Sequence, residues 1–195
     1  MKVYLDASAL NRPFDDQQLA RNRLETEAVL AILEWIESGE LKLVGSAALV
    51  YENRMSPLVE RREYVATYLD LAATFVTADP ALLDRAKAIE AQGIKPLDAL
   101  HLASAERGRA EWFVTCDDRI LKRARRGKLG IRGVHDRKVM LAASRGQGGL
   151  GAAFPEVLEA TAELVAAQRN DGVGTSEAPV HGGPLETMPD GNVAA

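Results

Sequence analysis

Four carboxylates stand where short apolar runs end or helices begin. Asp6 closes the run Val3-Tyr4-Leu5, and Glu52 lies six positions after Ser46. Asp98 follows Pro96-Leu97, and Asp117 follows Phe113-Val114-Thr115-Cys116. Carboxylate oxygens are the donors that hard divalent cations prefer. Several of them crowded together repel one another unless a cation neutralises the group. Each acid alone also has a plain structural reading. Asp6 suits a turn after a strand, and Glu52 suits a solvated helix face. Asp98 suits the first turn of a helix, where the dipole favours an anion, and Asp117 suits an N-cap.

Other residues carry weaker signals. Glu25 stands four positions after Arg21, which reads as a surface ion pair on a helix ahead of a supporting role near the acids. His101, three after Asp98, reads as a packed or hydrogen-bonded histidine, because an all-oxygen site does not call for imidazole. Asp118 reads as a surface acid. Trp35 and Trp112 sit among apolar neighbours and read as core. From Arg119 to Lys138 nine basic residues, including Lys122 and Arg123, face one acid, Asp136. The simplest reading is a solvated helix and loop. A phosphate backbone approaching Asp117 would also need such charge, which makes Arg119, Lys122 and Arg123 candidate RNA contacts.

The elements that must position these groups follow from periodicity. Lys2 to Asp6 reads as a buried parallel strand, and Asn11 to Asp16 as a loop. A long helix spans about Gln18 to Ser38, with Val29, Ile32, Leu33 and Ile36 on one face and Gly39 as its stop. Leu41 to Val44 is a second strand, and Ser46 caps the helix carrying Glu52. Further helices run from Pro57 to about Ala73, from Asp79-Pro80 to Gly93, and from Pro96 to Arg107, closed by Gly108. Phe75–Thr77 and Trp112–Thr115 are strands, Asp117 opens another helix, and Leu129 to Val134 is the last strand. Strand–helix alternation predicts a mainly parallel sheet, whose carboxyl ends are where ligands gather.

The segments Val3-Tyr4-Leu5-Asp6-Ala7-Ser8-Ala9-Leu10, Ser46-Ala47-Ala48-Leu49-Val50-Tyr51-Glu52, Leu97-Asp98-Ala99-Leu100-His101-Leu102-Ala103 and Phe113-Val114-Thr115-Cys116-Asp117 occur in this order. The chain thereby resembles the PIN domain nucleases, in particular the VapC-like toxins of bacterial toxin–antitoxin pairs, over residues 1 to 140. No segment is specific alone; the ordered set is. The resemblance implies a three-layer α/β/α fold and a metal-dependent endoribonuclease. In it Asp6, Glu52, Asp98 and Asp117 form an acidic pocket for Mg²⁺ or Mn²⁺. Ser8 matches a small hydroxyl residue beside the first acid, and Thr115 a residue that orients the last. A homodimer and a small antitoxin partner are implied in the same way.

Three rivals remain. A haloacid-dehalogenase-type phosphatase would carry a second Asp where this chain has Ser8. A PIN-like binding module without catalysis would not need all four acids. A nuclease of DNA or structured RNA outside any toxin system would look the same here.

Composition bounds the remaining classes. The chain has 195 residues, 47% hydrophobic and 27% charged, with a formal net charge of -4. The charge argues mildly against non-specific coating of nucleic acid, not against a cation-binding nuclease. One cysteine, Cys116, excludes an internal disulfide and a thiolate zinc centre. No apolar run approaches the roughly 20 residues that span a bilayer, and Asp6 interrupts any leader-like stretch, so a cytoplasmic protein is expected. Residues 141–169 read as a glycine-rich linker with an extra helix, Glu156 to Gln168, and residues 170–195 as a disordered tail.

Overall fold

The computed structural model describes residues 1–124. The expected strand at 129–134, the linker and helix at 141–169, the tail at 170–195 and most of the basic run lie outside the described residues.

The elements are β1 (Lys2–Leu5), α1 (Ala7–Leu10), a 3-10 turn (Arg12–Phe14), α2 (Ala20–Glu37), β2 (Lys42–Ser46), α3 (Ala47–Met55), α4 (Val59–Asp70), β3 (Thr74–Val76), α5 (Pro80–Glu90), α6 (Pro96–Arg107), β4 (Trp112–Val114) and α7 (Asp118–Ala124). The four strands form one sheet in the order β3-β2-β1-β4, and every pair is parallel. Val3, Tyr4 and Leu5 are fully buried, as a central strand covered on both faces requires. A parallel sheet with helices in its crossovers is the mainly parallel α/β arrangement that strand–helix alternation predicts. No helix among the described residues is long and apolar enough to cross a membrane.

Local chemistry accounts for most boundaries. Val29, Ile32, Leu33 and Ile36 are the buried face of α2, and Gly39 beyond it takes φ +79°, where a side chain would be strained. Ser46 caps α3 by accepting from the Leu49 N–H at 3.2 Å. Asp79 caps α5 by accepting from Leu82 N–H at 2.7 Å, with Pro80 at the first helical position.

The differences from the sequence reading are informative. Ala7–Leu10 is a helical turn that periodicity is too short to reveal, nucleated by the Asp6 carboxylate accepting from Ala9 N–H at 2.9 Å. The loop at 11–16 contains the 3-10 turn. α4 stops at Asp70 because Ala73 N–H is already engaged by the Leu43 carbonyl at 3.0 Å, turning the chain into β3. α5 ends at Glu90, ahead of Gly93. Gly108 does follow α6, but its φ is -71° and the left-handed residue is Arg109 at φ 57°. The glycine is there for space: a Cβ at position 108 would collide with the Val44 side chain.

Candidate active site

Parallel pairing of β1 with β4 puts Leu5 beside Val114, and Asp6 N–H donates to the Val114 carbonyl at 3.0 Å. The two strands therefore deliver Asp6 and the Thr115–Asp117 turn to the same edge of the sheet. Glu52 reaches that edge from α3 and Asp98 from the first turn of α6. One cavity of about 450 Å³ is lined by Asp6, Glu52, Asp98 and Asp117 together, with Ser8, Arg12, Lys95, His101 and Arg119 also in its wall.

Two hydroxyls knit the first and last acids. Ser8 Oγ donates to Asp6 Oδ1 at 2.7 Å and accepts from Cys116 N–H at 2.9 Å. Thr115 Oγ1 lies 3.2 Å from Ser8 Oγ and accepts from Asp117 N–H at 3.0 Å. Thr115 also hydrogen-bonds Asp6. These are the positions at which the sequence placed a small hydroxyl and an orienting threonine.

The electrostatics differ from acid to acid. Burial pushes the Asp6 carboxyl above the ordinary aspartate range, against hydrogen bonds from Thr115, Ser8 and Ala9 N–H. Asp98 is likewise raised, first by burial and then by the charges of Asp117 and Glu52. For Asp117 burial acts upward, but hydrogen bonds and charge from Arg119 outweigh it and hold the carboxyl low. Arg119 Nη2 sits 2.9 Å from Asp117 Oδ2, and Arg119 is 70% exposed. Asp117 Oδ1 also accepts from Arg119 N–H at 2.7 Å, so the plain capping reading of Asp117 holds alongside its place in the cavity. Glu52 Oε2 is 2.6 Å from His101 Nε2.

Among the described residues, no three His, Cys, Asp or Glu side chains already close on one metal position. Asp117 is clasped by Arg119 and Glu52 is held by His101. The donor set is nonetheless made of carboxylate oxygen, and the charges of Asp117 and Glu52 add to burial in raising Asp98. A hard divalent cation fits that chemistry, and Asp6, Glu52, Asp98 and Asp117 are the carboxylates that line the cavity.

These shifts predict how stability responds to pH. Asp6 and Asp98 keep their protons to higher pH when folded than the ordinary ~3.9 of an unfolded aspartate. Over that window the folded chain binds more protons, so stability falls as pH rises. Asp117 acts oppositely, its contribution being lost only as pH falls below the ordinary carboxylate range. Asp98→Asn removes one raised carboxyl. In chelator it is expected to melt a few degrees above the parent at about pH 7, and this gain should shrink as pH falls to about 5. A melting-temperature difference that does not change with pH would contradict the raised Asp98 carboxyl.

Glu25 departs from its surface reading. It is buried, with Oε1 2.7 Å from Arg21 Nε and Oε2 2.9 Å from Arg12 Nε. Arg12 further reaches Asp15 at 2.7 Å and the Cys116 carbonyl at 3.3 Å. Arg21 takes Asp118 in a two-pronged pair at 2.9 and 3.0 Å. Asp118 is thus half-buried and engaged, not a free surface acid. The reason is the 3-10 turn, which brings Arg12 back over α2. Lys95 lines the cavity without having been singled out by sequence; its place immediately before Pro96-Leu97-Asp98 was the available signal. Of the candidate RNA contacts, Arg119 lines the cavity, whereas Lys122 and Arg123 are exposed on α7 away from its wall. Cys116 is buried and its thiol is pushed up by burial, which suits a neutral packed residue.

No curated protein sequence matches the chain. Among solved structures, PAE2754 from Pyrobaculum aerophilum is similar at 20% identity, with 69% of this chain and 84% of that chain covered and a TM-score of 0.39. The family model of the PIN domain matches residues 3–126, more than half of the sequence, and the chain belongs to the PIN domain family.

Proposed function

We propose that the chain is a divalent-metal-dependent endoribonuclease, with Asp6, Asp98 and Asp117 as the principal ligands of Mg²⁺ or Mn²⁺ and Glu52 assisting. The observation that carries this reading is the single cavity into which four separate elements bring all four acids. PIN domains are generally nucleases, and nucleases of this family typically use divalent metal.

The chain's own residues divide the work. Ser8, Thr115 and the Ala9 N–H hold the Asp6 carboxylate in one orientation. Asp98, raised by burial and then by the charges of Asp117 and Glu52, is an acid whose ionised form a neighbouring cation would favour. Arg119 pairs with Asp117 at 2.9 Å through a 70% exposed side chain, so a cation held by Asp117 would compete with that pair. With Lys95, Arg119 places positive charge in the cavity wall where a phosphate could be met. A bound divalent ion supplies Lewis acidity at the phosphoryl oxygen and a nucleophile at neutral pH.

Ser8 donating to Asp6 argues against a dehalogenase-type phosphatase, because the hydroxyl occupies the place where that class needs its second acid. The toxin role rests on the VapC-like segments of the sequence. A small antitoxin protein, a homodimer and a cytoplasmic location belong to that finer reading; a short adjacent reading frame whose product blocks the activity would test it.

The deciding experiment is cleavage of labelled RNA by the purified chain. Cleavage is expected in Mg²⁺, about tenfold or more slower in EDTA, and recovered in Mn²⁺. Equal rates in all three conditions would reject the mechanism.

A further inference from the structure

Beneath the cavity runs a chain of hydrogen bonds that the reading above does not use. The Tyr4 hydroxyl lies 2.8 Å from Ser46 Oγ and 2.7 Å from His101 Nδ1, and His101 Nε2 lies 2.6 Å from Glu52 Oε2. Tyr4, Ser46 and His101 are buried, whereas the Glu52 side chain is 37% exposed at the chain's outer end. We infer that Tyr4 and His101 are positioning residues: together they fix the proton of His101 on Nε2 and so hold Glu52 at the cavity edge in one orientation. The inference rests on the metal-site reading of Glu52.

Proton counting carries it. A carboxylate only accepts, so the His101 nitrogen facing Glu52 must bear a proton. In the neutral ring Nδ1 is then a lone pair that needs a donor, and the Tyr4 hydroxyl is the donor at hand. The Tyr4 oxygen, having given its proton to His101, accepts from the Ser46 hydroxyl. Ser46 Oγ in turn accepts from Leu49 N–H at 3.2 Å. Every proton then runs one way along the chain from Leu49 N–H to Glu52, with the buried Ser104 Oγ also beside the Tyr4 hydroxyl. With the ring proton on Nδ1 instead, a lone pair would face Glu52 at 2.6 Å, which is repulsive.

The rest of the surroundings are rigid. The Tyr4 ring stacks on Phe113 with centroids 5.5 Å apart and planes 7° from parallel. It meets the His101 ring edge-on at 5.9 Å. The ring position is therefore set by packing, and the hydroxyl is left to set the tautomer. A side chain that pins a ligand through the ligand's outer face is the arrangement that tunes metal sites in general.

The test uses the whole chain with ¹⁵N-labelled histidine. The chain holds only three histidines, so His101 is assigned by its loss in His101→Gln. Long-range ¹H–¹⁵N correlation at neutral pH should show the wild-type ring protonated on Nε2. Tyr4→Phe keeps the stacked ring but deletes the donor; the His101 signature should move toward the other tautomer, and Mn²⁺ affinity by calorimetry should fall about 3- to 10-fold. In a Glu52→Gln background Tyr4→Phe should cost no further affinity. His101→Gln, whose amide still reaches Glu52, should retain more affinity than His101→Leu, a rescue that loss of packing alone would not give. A wild-type ring protonated on Nδ1, or a Tyr4→Phe chain with altered tautomer and unchanged Mn²⁺ affinity, would overturn the inference. A wild-type chain with no Mn²⁺ affinity fails differently: it removes the metal reading, while the ring signature still decides the tautomer.

Discussion

Asp98→Asn is expected to lower Mg²⁺-dependent RNA cleavage by about 10²- to 10³-fold, equivalent to about 3–4 kcal/mol of transition-state stabilisation. The substitution keeps the shape and one oxygen of the side chain and removes only its charge. It sits in the first turn of α6, where Asn is tolerated, and it removes a charge that burial and then the charges of Asp117 and Glu52 disfavour. Loss of activity should therefore coincide with a metal-free fold at least as stable as the parent's at neutral pH. That pairing separates a lost ligand from a damaged fold. The measurement is single-turnover cleavage of an end-labelled RNA at saturating protein, alongside thermal melts of both chains in chelator. A loss smaller than about fivefold would remove Asp98 from the ligand set.

Glu25→Ala is expected to cost about 3 kcal/mol of folding stability, the lower part of the range for breaking a buried ion pair by deleting one partner. Glu25 has a side-chain exposure of 4% and Arg12 of 14%, so little water can replace the lost carboxylate. Arg12 keeps Asp15, and Arg21 keeps Asp118, which is why the upper part of that range is not expected. Glu25→Gln retains an acceptor oxygen and should cost about half as much. Equilibrium urea unfolding of the three chains at one pH makes the comparison; a Glu25→Ala loss under about 1 kcal/mol would mean that α2 is held by its apolar face alone.

Much of the fold was legible because the signals were local and redundant. Val3-Tyr4-Leu5 is apolar at every position and is buried at every position. Asp79-Pro80 is both cap and first helical residue, and the structure uses it as both. The ordered segments around Asp6, Glu52, Asp98 and Asp117 pointed to one cavity, and all four line it. What the sequence could not carry was anything decided by a distant partner. Glu25 looks like half of a surface pair, because its neighbour four residues back is visible and Arg12, arriving through a turn of three residues, is not. The role of His101 depends on Tyr4 and Glu52, each far from it in sequence. Gly108 looks like a conformational glycine and is instead a spatial one, a distinction that exists only once Val44 is in place.

The strand order has a consequence for the protein while it is being made. β4 joins the sheet beside β1, through the pairs Val3–Trp112, Tyr4–Phe113 and Leu5–Val114, and it brings the last acid with it. A growing polypeptide can lay down the first three carboxylates and still lack the fourth wall of their pocket. Docking of a segment so remote along the chain is a slow closure, and until it happens one edge of the first strand stays unpaired. Under the proposed function, the pocket would lack its last acid until β4 has paired with β1.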